Sequence, residues 1–411
     1  MMEHEARTIA EGLQENYHAS GDYQMKVLLT STDNPYTSQL GGKHIHLLLL
    51  EQGLKTLGLE VATLYYNPKS AKELVKRSAL MLFPEEFRYN VKLKWMVDYL
   101  QAHIPKKEFN VIHAHDVLSI AAVDPMPQKK VLTLHGYFAR ENIEFVKSEK
   151  DRKTIYPLLL QLEGKGLKSA DYVITVDLRL KEYIISEFKF PENKISVMYN
   201  AVDTSLFRPT LEEEQRKLKQ TLGFGVDQFI ILVPRRLVEK NGVIYAARAM
   251  KHIGNENVKM IIAGDGPERE EIVKEAREDH RILLAGTIPH EKISPYYMMA
   301  DAILIPSITS HGVQEASSLA MLEGMACGKV VICSSIGGMR EIIQNLKNGV
   351  LAKEKEPLEI AKAIETIAEN RDLRAEIGCI AREYVLKNHS FIAHAKKVSD
   401  IYRSVLQESE N

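Results

Sequence analysis

The chain has 411 residues, of which 45% are hydrophobic and 27% charged, and its formal net charge is −1. That length exceeds the roughly 250 to 300 residues one core usually serves, so two domains are expected. A near-neutral balance excludes a general nucleic-acid binder, and no uncharged apolar run reaches the roughly 20 residues of a membrane span.

Residues 1–24 are polar and partly acidic and read as an amino-terminal extension without signal-peptide character, which predicts a cytoplasmic protein. From Met25 the pattern becomes strand, glycine-containing loop, helix, strand: "MKVLLTST", "DNPYTSQLGG", "KHIHLLLLEQGLKTLG", "LEVATLYY". Between 69 and 107 the basic residues Lys69, Lys72, Lys76, Arg77, Arg88, Lys92, Lys94, Lys106 and Lys107 outnumber the acids, close to the single tryptophan, Trp95. A solvated helix face is the commoner outcome of such a run; the alternative is a weak contact with the inner membrane face or an anionic acceptor. Apolar runs then recur at "NVIHAH", "KKVLTLHG", "DYVITV" and "KISVMYN", and after a polar stretch near 203–226 at "QFIILVPRR", "VKMIIAGDGP", "RILLAGTIP", "DAILIPS" and "KVVICSS". Runs alternating with helical segments imply parallel sheets covered on both faces. The expected organisation is therefore two doubly wound, Rossmann-like α/β domains facing across a cleft. One spans residues 25–205 and is completed by a carboxy-terminal helix within 390–411; the other spans 206–389. Cys327, Cys333 and Cys379 are odd in number and lack C-x-x-C spacing, which disfavours a disulfide framework or zinc site and predicts buried thiols.

Ligands of doubly wound folds bind at the carboxyl ends of strands, and the chemically capable residues gather there. In the first half these are Gly41 and Gly42, His113 and His115, then His135 and Gly136; in the second they are Arg235, Arg236, Lys240, Gly264, Gly286, Ile288 and Glu315. A diphosphate needs cations and inward-pointing N–H groups. Arg235 or Arg236 with Lys240 supplies the first, and a helix starting at Ser317, Ser318 and Leu319 supplies the second. Glu323, flanked at helical spacing by Leu319, Ala320, Ala326 and Cys327, is a carboxylate on a buried stripe, so either the fold or a ligand must donate hydrogen bonds to it. No two aspartates stand two positions apart, so a D-x-D metal motif is absent.

The E-x7-E pair Glu315 and Glu323, followed by "GMACGKVVI" and accompanied by "RRLVEKNG", "AGDGPEREE", "YYMMADAILIPS", "LHG" and "NAVDTSLFRP", closely resembles the GT-B glycosyltransferases of family 4 from residue 25 to about 403. The resemblance implies a retaining transferase that moves a sugar from a nucleotide diphosphate donor, UDP favoured, onto an acceptor, in cell-surface polysaccharide or glycoconjugate synthesis. It implies that Arg236 and Lys240 hold the diphosphate, Glu323 the ribose and Glu315 the donor sugar. His135 then touches the sugar, Gly42 lets its loop approach the phosphates, and backbone near Ile288 meets the base. Neither a metal nor another cofactor is expected. The acceptor, a saccharide, lipid-linked sugar or small molecule, has no sequence signature, and nor has the oligomeric state. Two departures stand out: Glu315 is followed by Ala316, Ser317 and Ser318 where many members read E-x-F-G, and the usual Arg-to-Lys spacing is kept by Arg235 but not by Arg236. The competing readings are a GT-B protein that binds a nucleotide sugar without transferring it, and an epimerase or phosphorylase on the same fold. A nicotinamide dehydrogenase is disfavoured because no G-x-G-x-x-G follows the first strand.

Overall fold

The computed structural model describes residues 25–36, 41–67, 85–310 and 312–408. The extension at 1–24 and the basic residues Lys69, Lys72, Lys76 and Arg77 lie outside the described residues. The first compact unit takes the described residues up to Met198 and those from His394 onward; the second is Tyr199–Ala393.

The first unit holds β1 (Lys26–Ser31), β2 (Glu60–Tyr65), β3 (Val111–Ala114), β4 (Lys129–Leu134), β5 (Tyr172–Thr175) and β6 (Ile195–Val197), and the second holds β7 (Phe229–Val233), β8 (Val258–Ala263), β9 (Ile282–Gly286), β10 (Ala302–Ile305), β11 (Val330–Ser334) and β12 (Val350–Ala352). All pairings are parallel, in the orders β2-β1-β3-β4-β5-β6 and β12-β11-β10-β7-β8-β9. The second order is the doubly wound arrangement of a dinucleotide-binding sheet, whose direction of winding reverses between β7 and β10; in the first sheet the reversal lies between β1 and β3. A strand with helices on both faces must be apolar on both, and β7 (FIILV) is buried at every position. Its residues divide between two cores: Ile230 and Leu232 on one face, Phe229, Ile231 and Val233 on the other.

Eleven of the strands correspond to apolar runs in the sequence. β12 does not: Val350–Ala352 lies between polar and charged residues and has no longer apolar run around it. The unit boundary falls at Met198/Tyr199, ahead of the 205/206 position expected from the change to polar residues. Val202 and Phe207 bury in the second core, and Val202 exchanges backbone hydrogen bonds with His389 (2.9 Å) and Phe391 (3.1 Å). The expectation of three buried thiols is corrected at one position: Cys327 and Cys333 are buried, but Cys379 is exposed. It stands off the stripe Ile377, Gly378, Ala381 and Val385 through which the helix Arg371–Asn388 packs.

Of the basic residues in the described part of 69–107, Lys92 and Lys94 are exposed on the helix Glu85–Ala102. That helix docks through Tyr89, Leu93, Met96 and Val97 against Leu118 and its neighbours. Among the described residues no helix is long and apolar enough to cross a membrane.

Candidate active site

In the second unit the two loops at the winding reversal carry most of the residues singled out above. Arg235 follows β7, and its Nη2 donates to Glu315 Oε2 at 2.7 Å and to Ser307 Oγ at 2.9 Å, while Nη1 donates to Ser318 Oγ at 3.1 Å. Its side chain is 10% exposed and that of Glu315 19%. Burial by itself pushes the Glu315 carboxyl up, but the Arg235 guanidinium, with Lys240 and the Ser307 hydroxyl, outweighs it and holds the group below the ordinary range. Glu315 is thus kept ionised.

Arg236 and Lys240 are arranged differently. Both are exposed, and neither side chain takes a hydrogen bond or ion pair among the described residues. Their loop is shaped by close backbone approaches. A Cβ on Gly264 runs into the Arg235 carbonyl, and Gly242, at φ +60°, lies against the Pro306 carbonyl. Only glycine fits at both. Gly338, not singled out in the sequence, does the same for the Glu315 loop: its N–H donates to Glu315 O at 3.1 Å, and a Cβ there meets Ala316. The signal available for it was "SSIGG" after an apolar run.

The helix begins at Leu319, with Ser318 as its N-cap in extended conformation, and no side chain caps it. Ser317 Oγ accepts from the Asn200 N–H at 2.9 Å and Ser318 Oγ is taken by Arg235, so the first-turn N–H groups of Leu319, Ala320 and Met321 are left as the orphan donors of a helix start. In the second turn Glu323 is 5% exposed. Its Oε2 accepts from the Tyr297 hydroxyl at 2.6 Å, and its Oε1 lies 2.8 Å from His290 Nε2. The donors it requires therefore come from the fold, on the helix His290–Met299, and each oxygen keeps one further lone pair. Glu323 outweighs burial and raises the His290 pKa, and burial next to the carboxylate drives that of Tyr297 far up. Tyr297 lay in the quoted stretch "YYMMADAILIPS" and His290 just after "RILLAGTIP" without being singled out, since pairing across 26 and 33 positions has no local pattern. Ile288 sits in the loop before this helix, partly buried against the core, and its backbone takes no hydrogen bond among the described residues.

In the first unit Gly42 opens the helix Gly42–Thr56 behind Gly41 as N-cap. Next to it Lys43 bridges Asp33 (2.9 Å) and Asp116 (3.0 Å). Asp116 also caps the helix Val117–Val123 by accepting from Ser119 N–H at 2.7 Å. Beside this pair lies a packed group of histidines. His113 is 0% exposed and clamped between the Tyr402 hydroxyl and Thr133 Oγ1, each at 2.7 Å. His115 Nδ1 lies 3.3 Å from His135 Nε2, and the His46 ring stands edge-on to His135 (4.7 Å) and to His394 (5.0 Å). Burial, reinforced by the neighbouring imidazoles and Lys43, drives His115 and His135 well below the usual histidine range and His113 to about 3. His135 is therefore a neutral imidazole at physiological pH, able to hydrogen-bond a hydroxyl without adding charge. Ring nitrogens of His46, His115 and His135 lie within 4.8 Å of one another. The sequence pointed to His113, His115 and His135, but not to His46, His394, Lys43, Asp116 or Tyr402.

Comparison with known proteins bears on these arrangements. Residues 214–384 match the family described as glycosyl transferases group 1, and residues 40–206 match glycosyltransferase family 4. The chain is 26% identical over 412 positions, 93% of its length and 99% of the relative's, to an uncharacterized glycosyltransferase of Methanocaldococcus jannaschii. Among solved structures it resembles sucrose-phosphate synthase from Thermosynechococcus elongatus with a TM-score of 0.73 at 20% identity, covering 93% of this chain and 100% of that one. Anabaena HepE, solved with UDP-glucose, has a TM-score of 0.66 at 18% identity, covering 92% and 100%. At such identities the structural likeness speaks for the fold.

Proposed function

The chain belongs to the GT-B glycosyltransferases of the family 4 type, and from that premise we propose that it transfers a hexose from a UDP-sugar to an acceptor hydroxyl with retention of anomeric configuration and without a metal ion. The observation that carries this reading is the division of labour after β7. Arg235 is neutralised by Glu315, whereas Arg236 and Lys240 stand exposed beside an uncapped helix start, and their charge is available to a diphosphate. In this reading Arg235 positions Glu315, and Arg236 and Lys240 bind phosphate. The helix N–H groups of Leu319 to Met321, reached through the Ser317–Ser318 turn, stabilise the charge that develops as the bond between anomeric carbon and phosphate oxygen breaks. Glu315, held ionised, orients the sugar whose anomeric carbon becomes electron-poor, and neutral His135 hydrogen-bonds a sugar hydroxyl. Glu323 uses its remaining lone pairs on the ribose, Gly42 admits the phosphates to its loop, and the free backbone at Ile288 faces the base. Gly264 keeps the Arg235–Leu237 loop in place. Uridine is favoured as the base because a neighbour of the same fold was solved with UDP-glucose.

The test is direct. Incubation with UDP-, GDP- and ADP-sugars is expected to give slow hydrolysis of one donor without acceptor, unchanged in EDTA, and an α-linked sugar from an α-linked donor by proton NMR. Lys240→Ala is expected to weaken UDP binding by about 1.5 to 3 kcal/mol, the scale of a charge-assisted hydrogen bond. No hydrolysis with any donor despite tight binding favours a binding protein, and activity lost in EDTA and restored by Mg²⁺ rules out the metal-free reading.

A further inference from the structure

The second unit contains a cavity of about 530 Å³ at the amino-terminal ends of its central strands, the end opposite Arg235 and Glu315. Phe229, Asn257, Asp301 and Lys329 line it, each at or just before the amino-terminal end of β7, β8, β10 or β11. β7 has five residues, so about 16 Å of strand separates this cavity from the loop after β7. Its size suits a small molecule.

Its walls are rich in cations. Arg216 and Arg371 share Glu212 at 3.0 and 3.3 Å, and Lys219 pairs with Asp301 at 2.7 Å. The Asp301 carboxylate also accepts from the Ile230 N–H (2.8 Å) and Gln215 Nε2 (3.1 Å), so three donors already share it. The third acid of the wall, Asp227, is solvent-exposed. Two cations are left over. Arg374 donates only to the carbonyls of Ile367 and Ala368, at 2.7 and 3.3 Å, and its guanidinium lies 5.2 Å over the Phe229 ring. Lys329 is 9% exposed, and its ammonium takes no hydrogen bond or ion pair among the described residues. The stem of Lys329 is buried while its ammonium stands at the cavity wall, and desolvating a charge there costs stability unless a ligand or solvent answers it. Burial is the main cause that brings its pKa down to about 8. As packing alone, the position is better filled by a methionine.

We propose that this cavity is a second anion site, separate from the transferase centre, in which Lys329 and Arg374 hold a phosphate group, either free or carried by a small metabolite. The guanidinium is already oriented by two carbonyls and a ring, and the ammonium has all three donors unused, which is the complement of a phosphate's acceptor oxygens.

Thermal shift and calorimetric titration of the full chain with inorganic phosphate and with glycerol 3-phosphate, against sodium chloride at matched ionic strength, test the proposal. Saturable binding of at least one probe is expected, weakened at least tenfold by Lys329→Met and kept by the Arg236→Ala/Lys240→Ala double variant. That double variant separates this site from the proposed diphosphate site. Equal affinity for the two probes identifies free phosphate as the ligand, and preference for glycerol 3-phosphate identifies an organic phosphate. Without probe, Lys329→Met is expected to be at least as stable as the parent, with an unchanged circular dichroism spectrum. Absence of saturable binding, binding that survives Lys329→Met, or a large loss of stability in the unliganded variant overturns the proposal, the last because it makes Lys329 a structural residue.

Discussion

The two glutamates of the E-x7-E pair are held by different means, and they are expected to fail differently. Glu315 is kept ionised by the Arg235 guanidinium, the charge of Lys240 and the Ser307 hydroxyl, so Glu315→Gln releases Arg235 and, in the proposed reaction, removes a charge that faces the reacting carbon. Its kcat is expected to fall roughly tenfold to a thousandfold, about 1.4 to 4 kcal/mol, with donor KM little changed. Glu323 also serves the fold through Tyr297 and His290. Glu323→Gln is therefore expected to lose about 1 to 3 kcal/mol of stability in urea titrations and to raise donor KM more than it lowers kcat. A normal KM with reduced stability assigns Glu323 to structure alone. The histidines make a second residue-scale prediction. In the first unit His113 and His115 are buried neutral with depressed pKa values, so below their unfolded pKa near 6.5 the unfolded state binds more protons. The stability of that unit is expected to fall as pH drops below 6.5, by about 1.4 kcal/mol per pH unit for each histidine. His290 has the opposite sign: its raised pKa stabilises the second unit fully below 6.5, and this contribution is lost as pH rises through the folded value. Unfolding curves followed from pH 5 to 8 check both slopes, and His290→Gln is expected to remove the second.

At the scale of elements, short connections determine where the side chains stand. The loop Arg235–Leu237 is held by backbone bonds from Leu237 N–H to Asp265 O and from Glu268 N–H to Leu237 O, both 3.0 Å, and this closeness leaves no room for a Cβ on Gly264. Gly264→Ala must push that loop away. The expected result is about 1 to 3 kcal/mol of lost stability together with weaker UDP binding, measured by calorimetry on the folded variant. Unchanged UDP affinity separates the loop from the donor site. The helix Leu319–Ala326 depends on the same kind of fit, because a Cβ on Gly324 meets Ile303 of β10 and Val331 of β11. That contact brings the helix start to the ends of the two strands bordering the site.

For the whole molecule, the first unit is not continuous in sequence. The helix Phe391–Gln407 supplies Tyr402, 0% exposed and bonded to His113, and His394, which packs on His46. A chain ending at Ala393 leaves His113 Nδ1 without that partner in the buried core of its unit. In calorimetry its first unit is expected to unfold at lower temperature or lose its transition, while the transition of the second unit persists. Equal loss of both transitions refutes the assignment of this helix to the first unit.

The order of apolar runs and the residues at their ends were enough to reach two parallel α/β units and the family, because strand burial on both faces and ligand binding at strand ends leave marks on consecutive positions. Arg235, Lys240 and Glu315 stood out as candidates for that reason, and Glu323 as a carboxylate on a buried helical stripe; their roles toward a donor belong to the proposal. Which arginine is buried was not legible: Arg235 and Arg236 are neighbours of the same type, and only the folded loop turns one toward Glu315 and the other toward water. The partners of Glu323 lie 26 and 33 positions away, and those of His113 lie 20 and 289 positions away, separations at which no spacing rule operates. The position of Lys329 is of the same kind, because Asp301, the carboxylate at the same end of the sheet, is taken by Lys219, Gln215 and the Ile230 N–H rather than by the Lys329 ammonium. A residue's type and its neighbours in sequence determine what it can bond, and only the tertiary fold determines which partners are within reach and which are already taken.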